Sequence, residues 1–134
     1  MADLFGDWVP EKWIHRVLSA VRCNPQHTFI FLTKNPKRLA EFNPWPANAW
    51  VGASATDAHQ MQVANEHMGA VDCAVKFISF EPLLDYIGLV DLNRMVETQV
   101  RWVIIGAQTR PTRLPMIGYV TMIEHVADAA HIPI

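Results

Sequence analysis

The chain has 134 residues, 51% of them hydrophobic, and a formal net charge of −2. That length is one domain's worth, with enough apolar residues to bury a core. The near-neutral balance, without a long basic or acidic run, argues against a nucleic-acid binder, and no stretch approaches the ~20 apolar residues of a membrane helix.

The opening "MADLFGDWVPEKW" has neither a basic start nor an apolar run of signal-peptide length. "EKWIHRVLSAVR" then places Trp13, Ile14, Val17, Leu18 and Val21 on one helical stripe, with Pro10 suited to a first turn. "HTFIFLTK" is a short β-branched and aromatic run, predicting a strand near 28–33. "NPKRLAEF" predicts a short helix from Pro36, capped by Asn35. "FNPWPANAW" reads as a rigid connection in which Trp45–Pro46 is open to either isomer. A second strand follows near 50–55, and Thr56 or Asp57 caps a helix running to about Ala70. Further strands are expected near 75–80 and 101–105. Tyr119, Met122, Ile123, Val126 and Ala130 form the stripe of a last helix.

Strands separated by helices imply right-handed crossovers and a parallel sheet. The near-continuous apolar strands fit a sheet covered on both faces. The expected fold is therefore α/β, a single domain over 1–134. A complete (β/α)8 barrel needs ~250 residues, so the expectation is a partial, half TIM-type barrel or a small open sheet. "ADLFGDW" resembles the end of a strand and its exit loop, and "AAHIPI" a helix end running into a new strand, so both ends read as cut.

In a parallel α/β sheet, functional groups gather at the carboxyl ends of the strands. Those ends here carry Asp3, then Thr33 and Lys34, then Ser54 and Thr56, then Ser79 and Glu81, then Gln108 with Thr109 and Arg110. Of these, Asp3, Thr33, Lys34, Ser54, Glu81 and Gln108 are the candidate binding residues. Each has a plainer reading. Lys34 reads more simply as a solvated side chain at a helix start, since a cation is unfavourable near a helix N-terminus. Glu81, followed at once by Pro82, either enters a pocket or caps the loop. Alternation along "AVKFISFE" puts Phe77, Ser79 and Glu81 on one face, and Lys76, Ile78 and Phe80 on the other. The face with Ser79 beneath the carboxylate suits a polar pocket near Lys34, Ser54 and Gln108.

Other chemistry finds little support. The two cysteines, Cys23 and Cys73, form no CxxC pair and no zinc spacing, and read as free thiols in a reduced, cytoplasmic compartment. The six histidines show no HxH or HxxxH spacing, so no metal site is expected. Gly106 after "VII" is far short of a dinucleotide fingerprint. The five tryptophans read as core or loop anchors.

The stretches "DLFGDWVPEKWI", "HTFIFLTKNPKRL", "NPWPANAWVGAS", "FISFEPLL" and "RWVIIGAQTR" resemble a phage and prophage family, the gene-product thirty-seven/sixty-eight family of radical-SAM-like barrel proteins. The resemblance spans nearly the whole chain. It implies a (β/α) barrel whose full-length members hold a [4Fe–4S] cluster and S-adenosylmethionine on a three-cysteine motif. That motif is missing here. "GAQT" replaces the family's "GGES"-like stretch, with Gln108 where a glutamate is usual, and "ATDA" follows "AWVGAS" where the family tends to have a carboxylate and an amide. A cluster needs thiolate ligands, so no cofactor is expected on this chain alone. Three functions remain open: the C-terminal part of a radical-SAM-like enzyme without catalysis of its own; a non-catalytic module that self-associates or pairs with a complementing chain; and a small-molecule or phosphate binder at the strand ends. Exposed sheet edges favour a homo-oligomer or a partner chain.

Overall fold

The computed structural model describes residues 3–134. Its centre is an open, four-stranded parallel sheet in the order β1-β2-β3-β4, not a closed barrel. The strands are β1 (Phe29–Thr33), β2 (Ala49–Ser54), β3 (Val75–Phe80) and β4 (Val100–Ile105), each within a residue of its expected position. The helices are α1 (Glu11–Arg22), α2 (Ala58–Met68), α3 (Leu89–Glu97) and α4 (Ile117–Ala129), with a 3₁₀ helix over Pro36–Phe42. Asp57 is the cap of α2; its carboxylate accepts the Gln60 N–H at 2.9 Å. Two elements are additions to the sequence reading. These are α3 and a small hairpin of β5 (Gln108–Thr109) and β6 (Thr112–Arg113). Cis peptides precede Pro44, Pro82 and Pro111; Trp45–Pro46 is not among them.

Strand order decides where the layers go. When each strand pairs with its predecessor and every crossover has the same hand, all helices fall on one face. That face is the core. Val51, Ala53, Ile78, Phe80 and Val103 pack there against Ile14, Leu18, Met61, Leu92, Met95 and Ile123. The expectation of a sheet covered on both faces is corrected accordingly. On the opposite face Ile30 is 55% and Leu32 38% exposed. Beside them runs an aromatic row. Phe77 lies 5.1 Å from Trp102, and Trp102 5.9 Å from Trp50, centroid to centroid. Gly52 makes this row possible, because a Cβ there would collide with the Phe77 ring.

The stripe expected on α1 is also narrower than its periodicity. Ile14, Leu18 and Val21 are buried, but Trp13 is 55% and Val17 36% exposed. Only the side turned to the sheet finds a partner. On α4, likewise, Ile123 and Val126 are buried with Ala127, while Tyr119, Met122 and Ala130 stay half-buried.

The end segments fasten to the sheet edges. The Val103 N–H donates to the Pro133 carbonyl at 3.0 Å, so the last residues run along the outer edge of β4. Near the other end, the Asp3 carboxylate accepts the Thr33 hydroxyl and the Lys34 N–H at 2.9 Å, and the Phe5 N–H at 3.0 Å. Asn35 and Arg38 complete this clasp. Asn35 Nδ2 donates to Phe5 O and Asp7 Oδ1, and Arg38 Nη1 to Gly6 O and Val9 O.

Candidate functional site at the strand ends

Strand β3 stops at Phe80, and Pro82 can add nothing further to a ladder. The loop leaving it is clamped from both sides instead. The Leu83 N–H donates to Gly106 O at 2.9 Å, beyond β4, and the Leu84 N–H to Thr56 O at 3.0 Å, beyond β2. Gly106 N in turn donates to Phe80 O at 3.0 Å. Three neighbouring exit loops are thus tied together by backbone bonds, and Glu81 is carried at their centre.

These loops enclose an open cleft of about 420 Å³. Its walls are Leu32, Lys34, Ser54, Glu81, Pro82 and Ala107, with Gln108, Thr109 and Arg110 from the hairpin. Four of the expected residues, Lys34, Ser54, Glu81 and Gln108, therefore meet in one place. Thr109 and Arg110, read at the same strand end, join them. Asp3 and Thr33 do not line the cleft. They bond to each other in the clasp described above, Thr33 being buried on the helix-covered side. Leu32, Pro82 and Ala107 are the apolar walls that strand-end reasoning passed over. Period-two alternation from Lys34 back to Leu32 is the signal that finds the first of them.

The electrostatics of the cleft are mixed. Glu81 is exposed at the lip and accepts the Ser79 hydroxyl at 3.3 Å. Ser79 itself is fully buried beneath it. Gln108 Nε2 donates to Arg110 O at 3.2 Å, which shapes the hairpin tip. Among the described residues the ion pairs are Lys37–Asp7 and Arg38–Glu41. The charges of Lys34, Glu81 and Arg110 therefore stand in one cleft without being paired to each other. Such an arrangement can hold a small molecule carrying both signs of charge, or an anion between Lys34 and Arg110.

The two cysteines do not fit a cluster at this cleft. Cys23 directly follows α1, and Cys73 precedes β3, so both lie at the amino ends of the strands, opposite the cleft. Burial pushes the Cys73 thiol pKa up, which disfavours the thiolate that iron ligation needs. No group of three or more His, Cys, Asp or Glu side chains is arranged to hold a metal among the described residues. No described helix is long and apolar enough to cross a membrane.

No curated protein and no solved structure matches the chain. A family model does, over residues 1–134, and its description is that of a protein of unknown function. The chain belongs to that family, DUF5131.

Proposed function

We propose that this chain is the ligand-binding half of a phage-type, radical-SAM-like barrel, acting in the cytoplasm without catalysis of its own. The observation that carries the reading is the convergence of Lys34, Ser54, Glu81, Gln108 and Arg110 on one cleft at the carboxyl ends of the strands. The sequential strand order supports it, because a barrel is built by the same repeated step. S-adenosylmethionine, implied by the family resemblance, carries both signs of charge that the cleft offers. Inorganic phosphate represents the simpler anion-binding alternative.

The test is a two-dimensional NMR titration of the chain with S-adenosylmethionine and, separately, with inorganic phosphate. Saturable shifts at Ser54, Glu81, Gln108 and Arg110 with either probe are expected. Glu81→Gln should weaken S-adenosylmethionine about tenfold, the scale of one charge-assisted hydrogen bond, and leave the fold intact. Titrations without shifts at the cleft for both probes overturn the reading.

A second reading, a self-associating module, is favoured by the uncovered apolar sheet face at Ile30 and Leu32. Apolar surface of this kind marks contact sites.

A further inference from the structure

The two lateral flanks of the molecule carry opposite charge. Helix α1 lies on the β1 side, and α4 on the far side of β4. Helix α1 contains three basic residues against one acidic; α4 contains two acidic residues and neither Lys nor Arg.

Helical geometry places part of this charge on the outward flanks: Arg16 on α1, with Lys12 one turn before it, and Glu124 and Asp128 on α4. On α1, Ile14, Leu18 and Val21 face the sheet, while His15 packs on Phe42 and Arg22 reaches Pro44 O, both toward the 3₁₀ helix side. Trp13 and Val17 fall on the opposite side of the helix, with Arg16 beside them. On α4, Val126 and Ala129 turn toward α3. Ile117, Glu124 and Asp128 fall on the opposite side, and Ile117 is 79% exposed. Each outer flank is thus an exposed apolar patch bordered by one sign of charge, and the signs are opposite.

We infer that the chain forms a two-fold dimer in which the basic flank of α1 in each copy packs against the acidic flank of α4 in the other. The flanks stand at opposite ends of the strand order. With the sheet curled toward its uncovered side as in a barrel, a two-fold axis running along the strands on that side makes both contacts at once, closing the assembly. Both helices run against the strands, so in such a dimer they lie parallel, with the first turns of α1 beside the Ile117–Glu124 stretch of α4. The uncovered sheet faces, with Ile30 and Leu32, then turn toward each other. This inference rests on the self-association reading and names the surface that carries it; its test uses no ligand of the strand-end cleft.

Charge exchange tests it. One variant carries Lys12→Glu and Arg16→Glu; the other carries Glu124→Lys and Asp128→Lys. All four positions are exposed, so both variants should keep the native circular dichroism and melting transition. Sedimentation equilibrium at tens of micromolar should give the wild type twice the 15.2 kDa chain mass, with association weakening as salt rises. Each variant alone should be monomeric, because like charges then meet at both contacts. Their equimolar mixture should recover the dimer, because both contacts become complementary again. A monomeric wild type overturns both the inference and the self-association reading. A wild-type dimer that persists in each variant alone, or a mixture of monomeric variants that fails to associate, overturns the flank assignment and leaves self-association standing.

Discussion

The Glu81 side chain lies across Gly106, so that a Cβ at position 106 would fall on the Glu81 carboxylate. A residue on the exit loop of β4 thereby sets where the acid of the β3 loop can rest. Glu81 is exposed, so its side chain can turn toward solvent and yield to an added methyl group at small cost. Gly106→Ala should therefore change the melting temperature by no more than a few degrees while moving the carboxylate out of the cleft. Titration of S-adenosylmethionine against this variant should show a loss like that of Glu81→Gln. Unchanged affinity would sink the link between the two residues.

Lys76 is 6% exposed and donates from Nζ to Gly69 O at 3.3 Å and Thr98 O at 3.1 Å. These carbonyls close α2 and α3, so one cation sits at the negative ends of two helices. Lys76→Met keeps the aliphatic stem and removes both bonds. The expected cost is about 1–3 kcal/mol, read as a fall in melting temperature of roughly 4–12 °C. A melt that coincides with the wild type would show that the ammonium group is dispensable.

Asp7 introduces a pH dependence. Its carboxylate accepts Asn35 Nδ2 at 2.9 Å and pairs with Lys37 Nζ at 3.2 Å. Those contacts, the Asn35 bond first, hold its pKa below the ordinary carboxylate value. A depressed folded-state pKa stabilises the fold above the unfolded-state value, about 4, and that share is lost as pH falls through the lowered folded value. Melting temperatures measured from neutral pH downward should therefore fall less steeply in this window for Asp7→Asn than for the wild type. Parallel curves would dissociate Asp7 from the acid limb.

The strands were legible because each is an apolar run ended by a polar group, and the same endings pointed to Lys34, Ser54, Glu81 and Gln108. Helix α3 was not legible for a local reason. It is nine residues long, begins at Gly88 without a side-chain cap, and buries only Leu92 and Met95. The hairpin has two-residue strands, too short for any period to show. Asp3 was read as a strand-end polar group, but two of its three partners, Thr33 and Lys34, are residues that only the folded chain brings near. Trp13 and Val17 show the limit of periodicity itself. It marks the apolar side of a helix but not how much of that side another element covers.

The order β1-β2-β3-β4 has a consequence for how the molecule is made. Every strand pairs with the one synthesised just before it, and the Asp3 clasp can close once Arg38 has emerged. No strand in the four-stranded sheet waits for a neighbour still inside the ribosome. The sheet can therefore grow by addition at one edge during translation, with β1 as its template and β4 as its last join.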